Sequence, residues 1–305
     1  MPKNHTPNFH EKSYKSHTCY LNKYSTGGES ETQAKTWLEK DTVDAWRHLR
    51  MYGNLDPLLN AEHSKWLTIG DGRYGNDANY ILSKGCDALA TDISDILLKE
   101  AKEYGYITQY KKENSESLSF NDSEFDYVFC KEAYHHFPRP MLALYEMLRV
   151  AEKGVILIEP NDRYINNSVT DVFFRNFINL IKKLLGIKAS RHDFEDSGNY
   201  VFRISRREIE KVSLGLNYEV VAFIGINDAY IKGVEFEKLS DKGPLLKKIR
   251  AIIFIRDLLC KLRLIDYGLL ASIIFKQEPS EDLLLTLKKA GFEIIRLPQN
   301  PYIVK

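Results

Sequence analysis

Cysteine is scarce in this chain, and its scarcity excludes two common kinds of stabilising site. The 305 residues include four cysteines, which are widely separated at Cys19, Cys86, Cys130 and Cys260. No CxxC pair and no Cys/His spacing typical of a metal site is present, and nothing indicates a disulfide framework. We therefore expect reduced, buried thiols in a cytoplasmic protein, and no metal.

Long apolar runs and a strong net charge are also lacking. No stretch approaches the ~18 uninterrupted apolar residues that a membrane span needs, and the polar N-terminus has no apolar core of a signal peptide. The formal net charge is +1, and no nucleic-acid-binding module is recognisable, so we expect no nucleic acid partner. These absences favour a cytoplasmic protein whose ligand is a small molecule.

What is present begins with a glycine-rich turn. The stretch LTIGDGRYG carries Gly70, Gly72 and Gly75 directly after a short apolar segment. Glycine lacks a Cβ atom, so the backbone here can approach a ligand closely. Asp92 follows about 20 residues later, at the spacing from which a carboxylate binds a ribose hydroxyl. The pattern predicts a cofactor that contains a nucleoside.

Apolar strand-like segments alternate with helical ones from Trp66 to Ile158. This alternation predicts an α/β fold, a Rossmann-like, doubly wound and mostly parallel sheet covered by helices on both faces. Two late helix–strand units end at Ile224 and Leu297, and we expect their strands to form an antiparallel pair at one edge of the sheet. Two further segments are expected to be helical additions that the sheet does not need.

The domain organisation follows from these patterns. Residues 1–60 are expected to form a polar N-terminal segment and a helical cap, in which residues 31–52 are helical. Residues 61–231 and 278–305 would form the core, with 163–199 as an added segment and 232–277 as a helical insertion.

Three motifs in the core carry a resemblance to a known family. The glycine turn is followed by KKENSESLSF before the strand FDYVFC, and KEAYHHF comes directly after that strand. In these features the chain resembles the class I S-adenosylmethionine-dependent methyltransferases, in the branch with small-molecule acceptors and a His-His after strand four. The resemblance covers about 65–161 and implies S-adenosylmethionine as the cofactor. The cofactor-binding residues that we infer are Gly70, Asp71, Gly72, Gly75, Asp92, Ile93, Asn114, Ser115 and Lys131.

The chain departs from the family pattern at three places. The family usually has an acid two residues before the first glycine, where this chain has Thr68, and Asp71 or Asp77 is expected to compensate. It usually has aspartate at the position of Asn114, whose carbonyl oxygen can still accept from the adenine amino group. The third glycine comes one residue late, after Tyr74. Two other classes therefore stay open, a nicotinamide-dependent oxidoreductase and a binding protein without catalysis.

The side chains after strands four and five are the candidates for chemistry. A hydroxyl acceptor needs a base, and histidine suits that task with an unperturbed pKa of ~6.5. We expect His136 to be the base, with His135 and Glu132 as further candidates, although a His-His can also simply shape the loop. Asp162 and His192 are predicted to contact the substrate.

The acceptor is expected to be a small or glycan-like molecule methylated at oxygen, in the context of cell-surface sugar biosynthesis. The alternative acceptor is a quinone or a lipid-linked molecule at the membrane surface. It rests on Val172–Ile187 and Leu245–Phe275, which are apolar at helical spacing and rich in lysine and arginine. Such stripes more often pack against the domain or form a homodimer than contact a membrane, and we favour packing or dimerisation.

Overall fold

The computed structural model describes residues 8–162, 169–186, 193–195 and 199–302. Its chain forms two compact units. The first unit comprises Met1–Leu38, His63–Lys153 and Phe194–Phe202. The second unit comprises Glu39–Glu62, Gly154–Asp193 and Arg203–Lys305.

The helices and strands follow one another in an order that begins with helices and then alternates. The helices are α1 (Phe9–Asn22), α2 (Glu29–Thr36), α3 (Val43–Tyr52), α4 (Asp56–Leu59), α5 (Asn76–Ser83), α6 (Ile96–Glu103), α7 (Pro140–Val150), α8 (Val169–Leu184), α9 (Arg206–Gly215), α10 (Pro244–Lys261) and α11 (Glu281–Lys289). The strands are β1 (Lys65–Ile69), β2 (Asp87–Asp92), β3 (Gln109–Lys112), β4 (Phe125–Lys131), β5 (Ala151–Pro160), β6 (Val220–Ile226), β7 (Leu269–Phe275) and β8 (Glu293–Arg296).

The first unit contains the parallel strands. In it, β1 pairs in parallel with β2 and with β4, and β2 pairs in parallel with β3. Strands β1 and β4 are buried along nearly their whole length, which explains their continuous apolar sequences. Within the described residues, eight strands belong to one sheet in the order β3-β2-β1-β4-β5-β7-β6-β8. The Rossmann-like α/β fold that the alternation predicts is thus confirmed.

The second unit contains the antiparallel strands. Strand β6 pairs antiparallel with β8, as predicted for the two late helix–strand units. Strand β7 lies between β5 and β6 and pairs antiparallel with both. The prediction that Leu245–Phe275 has helical spacing is correct up to Lys261, where α10 ends, and wrong for β7, every residue of which is buried in the sheet. Residues 232–277 therefore supply a strand that the sheet needs.

One face of α10 packs in the core of the second unit. Leu246, Ile249 and Ile253 are buried there with Val43 and Val234. For this face, the prediction that the basic amphipathic helix packs against its own domain is confirmed. Among the described residues, no helix is long and apolar enough to cross a bilayer.

The N-terminal region contains several separate helices, whereas the sequence predicts one helix over residues 31–52. Residues 31–52 do not form one helix, because α2 ends at Thr36 and α3 begins at Val43. The side chain of Thr42 accepts a hydrogen bond from the backbone N–H of Ala45 and so caps the start of α3. Ahead of both, the polar segment contains the helix α1.

Candidate active site

The glycine turn between β1 and α5 needs glycine for two different reasons. Gly70 and Gly75 have φ of +74° and +67°, which side chains other than glycine rarely adopt. Gly72 has no such conformation, but a Cβ atom there would lie 2.7 Å from Oδ2 of Asp92. At Gly70 a Cβ would also lie 2.3 Å from Cβ of Ala133, which follows β4. The turn is therefore in close contact with the last residue of β2 and with a residue that follows β4.

Asp92, at the end of β2, is buried beside this turn. Its carboxylate accepts backbone N–H bonds from Ser94, at 2.9 Å, and from Gly72 and Ile93. Burial raises its pKa to about 6, and the three N–H bonds oppose that rise. A buried carboxylate held by backbone donors still has lone pairs to accept hydroxyl protons. The site therefore fits a ribose, as the resemblance implies.

Asp71 has a structural task in addition to its predicted place in the cofactor site. Its carboxylate accepts from the hydroxyl of Thr68 at 2.8 Å and from the backbone N–H groups of Asp77 and Ala78. These bonds satisfy free N–H groups in the first turn of α5. Burial, and then the nearby charge of Asp77, raises its pKa well above the usual value.

Lys131, the last residue of β4, lies between two carboxylates. Its Nζ atom is 3.7 Å from Oδ1 of Asp77 and 3.6 Å from Oε2 of Glu132. Burial alone would lower the pKa of Lys131, but the two carboxylates raise it above its usual value. Glu132 has a φ of +51°, a strained conformation of the kind found at functional sites. Glu132, a predicted base, is thus an ion-pair partner of Lys131.

The predicted adenine-binding turn contains Asn114 and Ser115. Oδ1 of Asn114 accepts the backbone N–H of Glu116 at 3.0 Å, so the side chain fixes the turn that holds Ser115. The carboxylate of Glu116 in turn accepts from the hydroxyl of Tyr14 at 2.6 Å and from the guanidinium of Arg139. This network connects the turn to helix α1.

Helix α1 covers the glycine turn. Cδ1 of Leu21 would be 3.0 Å from a Cβ atom at Gly72. Oδ1 of Asn22 accepts from the hydroxyl of Ser94 at 3.1 Å, next to Asp92. The polar N-terminal segment thus covers the glycine turn, which is the predicted cofactor site.

The two histidines after β4 meet residues from distant parts of the chain. His135 and His136 lie in a short 3-10 turn, with ring centroids 3.9 Å apart. Nδ1 of His136 is in direct contact with the carboxylate of Glu195. Nδ2 of Asn199 bonds both Nε2 of His17, at 2.7 Å, and the backbone carbonyl of His136, at 2.8 Å. The structure thus adds His17, Glu195 and Asn199, which no motif in the sequence indicates.

Three of these side chains could in principle hold a metal ion. Ligand atoms of His17, His136 and Glu195 lie within 4.8 Å of one another. His136 and Glu195 are in direct contact, however, and this closeness favours a shared proton over an intervening ion. Burial, and then the nearby charge of His136, lowers the pKa of His17, so His17 is a neutral hydrogen-bonding partner at neutral pH.

The two predicted substrate residues have different outcomes. Asp162 lies in the second unit directly after β5, where its backbone N–H donates to the carbonyl of Ile204 at 2.8 Å. Its contact with substrate stays a prediction. His192 lies outside the described residues.

Comparisons with known proteins agree with these motifs. Residues 67–158 match a family model described as a methyltransferase domain. This range contains the glycine turn, Asp92, the adenine turn and both histidines. No curated protein has a significantly similar sequence.

Several solved structures are similar to this chain at low identity. A methyltransferase of Thermotoga maritima is 13% identical, covers 87% of this chain and all of its own, and has a TM-score of 0.45. One from Archaeoglobus fulgidus is 15% identical over 75% of this chain and 94% of its own, with a TM-score of 0.46. The family match and the motifs, rather than these structures, exclude a nicotinamide-dependent oxidoreductase. Residues 67–158 therefore form a methyltransferase domain, and the chain is an S-adenosylmethionine-dependent methyltransferase.

Proposed function

We propose that this methyltransferase acts on a hydroxyl of a small, glycan-like acceptor, with His136 as the base. The observation that carries the proposal is the contact between Nδ1 of His136 and the carboxylate of Glu195, to which the neutral imidazole can donate its Nδ1–H. A carboxylate on one ring nitrogen fixes the orientation of the imidazole and leaves the other nitrogen to take up a proton. The base assignment and the oxygen acceptor depend on this pair.

The proton balance of the step is simple. Nε2 of His136 takes the proton of the acceptor hydroxyl as the oxygen forms its bond to the methyl carbon, and the carbon–sulfur bond breaks. Glu195 stabilises the imidazolium that results. The proton then passes to solvent, which reaches the half-exposed side chain of His136.

The cofactor would be held along the ends of β1, β2 and β4. When bound, S-adenosylmethionine supplies an electrophilic methyl group on a sulfonium. Asp92 would accept from the ribose hydroxyls. Lys131 would bind the carboxylate of the methionine end, and Asp77 its ammonium group, in place of the acid that Thr68 replaces. Nζ of Lys131 and Oδ1 of Asp77 lie 3.7 Å apart, a spacing that supports one binding the carboxylate and the other the ammonium group of the same zwitterion.

The surroundings of His136 support a polar, ring-shaped acceptor. Phe194, Tyr200 and Phe202 flank Glu195 and Asn199, and their rings contact one another at centroid distances of 5.7 and 5.0 Å. Aromatic rings offer flat apolar surfaces beside the hydrogen-bonding groups. Such a combination suits a sugar ring, which has hydroxyls on its edge and C–H groups on its faces.

The experiment is an acceptor screen with a labelled methyl group on the cofactor. Nucleotide-linked sugars, free sugars and simple alcohols would be compared with amines and quinols. We expect transfer to oxygen of a sugar, at least a hundredfold slower in His136→Asn and unchanged in His63→Asn, a control at an exposed histidine. Full activity of His136→Asn, or transfer to amines alone, would contradict the proposal.

A lipid-linked acceptor is the second candidate, and the exposed face of α10 favours it. The same screen distinguishes them if a polyprenyl-linked sugar is included beside its water-soluble counterpart.

A further inference from the structure

Helix α10 has an outward face that is unusually apolar. Phe254, Leu258 and Leu262 follow one another four residues apart along the helix and its last turn, so they form a stripe. They are exposed by 69%, 48% and 58%, and Ile255 beside them is exposed by 55%. Large apolar side chains are scattered singly on most surfaces, whereas a continuous stripe marks a surface that contacts something.

Cations border this stripe at both ends. Lys247 and Lys248 precede it, and Lys261 and Arg263 follow it, and all four side chains are exposed. The one acid of α10, Asp257, is half-buried and accepts from Nδ2 of Asn227 at 2.8 Å. The exposed charges of the helix are therefore all positive.

We propose that this face of α10 binds the surface of an anionic lipid bilayer. The apolar stripe would enter the boundary between headgroups and acyl chains, and the flanking cations would contact the phosphates. An apolar centre with lysines and arginines around it is the arrangement by which helices lie in a membrane interface. The inward face stays packed on Val43 and Val234, so the helix would bind without leaving its own core.

Helix α8 of the same unit has a second exposed apolar face. Phe173, Phe177, Leu180 and Leu184 recur at three- and four-residue spacing, and all are exposed by more than half. Exposed Lys183 adds a cation near its end. Buried apolar area largely determines the strength of interfacial binding, so this face would add to that of α10 if a bilayer contacts both.

The charges favour a lipid surface over a second copy of the chain. In a twofold dimer the same face of each copy meets itself. Because α10 carries lysines near both ends, parallel and antiparallel pairing would each bring cations against cations. Anionic headgroups neutralise the same cations.

The test is co-sedimentation of the full chain with vesicles. Vesicles of phosphatidylcholine alone would be compared with vesicles that also contain phosphatidylglycerol, at low and high salt. We expect binding to the anionic vesicles, at least tenfold weaker at high salt, and little binding to the neutral ones.

Two variants of α10 and two matched variants of α11 locate the surface. Phe254→Ser with Leu258→Ser removes the stripe, and Lys247→Glu with Lys248→Glu reverses the charge. The controls are Leu285→Ser and Lys288→Glu with Lys289→Glu, which change exposed residues of α11 in the same ways. We expect at least tenfold weaker binding for each α10 variant and wild-type binding for the controls.

Three results would overturn the inference. They are no binding of the wild type to anionic vesicles, equal losses in the α10 and α11 variants, or a dimer in light scattering that the Phe254 and Leu258 changes dissociate. Circular dichroism and thermal unfolding show whether every variant is folded. The inference concerns the second unit and holds whichever acceptor atom is methylated.

Discussion

Leu21 and Gly72 lie in contact, because Cδ1 of Leu21 is 3.0 Å from the place where a Cβ atom of residue 72 would stand. Helix α1 therefore leaves no space for a side chain at position 72. On the other side of Gly72, the same hypothetical atom is 2.7 Å from the Asp92 carboxylate. A single methyl group at this position would displace either helix α1 or the residue that we expect to bind the ribose.

Gly72→Ala is accordingly expected to weaken cofactor binding at least tenfold. Asp92 must shift, and its backbone hydrogen bonds weaken with it. Calorimetric titration with S-adenosylmethionine measures the effect. Gly53→Ala is the matched control, because a Cβ atom there meets no atom within 4 Å. Wild-type affinity of Gly72→Ala would show that the turn is not in the cofactor site.

The affinity for S-adenosylmethionine should fall as the pH falls through 6. Burial raises the pKa of Asp92 to about 6, and we expect the charged form to accept the ribose hydroxyls. Binding should therefore be nearly constant above pH 7 and about tenfold weaker at pH 5, by proton linkage. Asp92→Asn should abolish this dependence, and Asp87→Asn, at the exposed start of β2, should keep it. If the affinity of Asp92→Asn depends on pH as that of the wild type does, another titrating group causes the pH dependence.

The charged carboxylate of Asp92 should make the cofactor-free protein less stable than a neutral side chain at this position would. Its pKa rises from 3.8 to about 6 on folding, so the folded state loses stability as the pH rises through that interval. At pH 7 we expect Asp92→Asn to be more stable by about 1–2 kcal/mol, less than the full pKa shift implies because an amide accepts fewer N–H bonds. Thermal unfolding of the free protein at pH 7 and pH 4 measures this. A less stable variant at pH 7 would be the contrary result.

Glu195→Gln should slow methyl transfer without affecting cofactor binding. The amide keeps the size of the side chain but does not stabilise an imidazolium, so we expect kcat to fall about 10- to 100-fold. The defect should shrink for acceptors with more acidic hydroxyls, because these need less help from a base. A purely structural role of Glu195 would instead give one loss for all acceptors.

Zinc should inhibit the enzyme, although transfer itself should need no metal. Ligand atoms of His17, His136 and Glu195 lie within 4.8 Å of one another, and zinc prefers these ligand types. Initial rates should be equal with and without EDTA, fall with micromolar Zn²⁺, and recover on chelation. His17→Ala should require at least tenfold more zinc for the same inhibition. Loss of activity in EDTA alone would show that the three residues hold a functional ion.

The sequence predicts the parallel half of the sheet well, because each strand from β1 to β4 is followed by a clear helix or turn signal. It does not predict β7. The residues LLASIIF are buried on both faces and lack alternation, and they follow an apolar helix closely, so periodicity does not separate strand from helix there.

The approach of Gly72 to Asp92 was predictable from motifs, whereas the partners of His136 were not. Glu195 and Asn199 are about sixty residues away in the chain, and His17 comes from the N-terminal helix. Because folding alone brings these side chains together, no spacing in the sequence indicates that they are neighbours. His17 in a polar segment reads as an ordinary surface residue.

Helix α1 contributes Leu21 to the cover of the glycine turn and His17 to the cluster at His136. One rigid element thus touches the expected places of both reactants. If an acceptor draws this helix closer, it strengthens retention of the cofactor by the same factor as the cofactor strengthens binding of the acceptor. The two ligands would then be exchanged as a pair rather than independently, and changes in α1 could alter acceptor choice without touching the glycine turn.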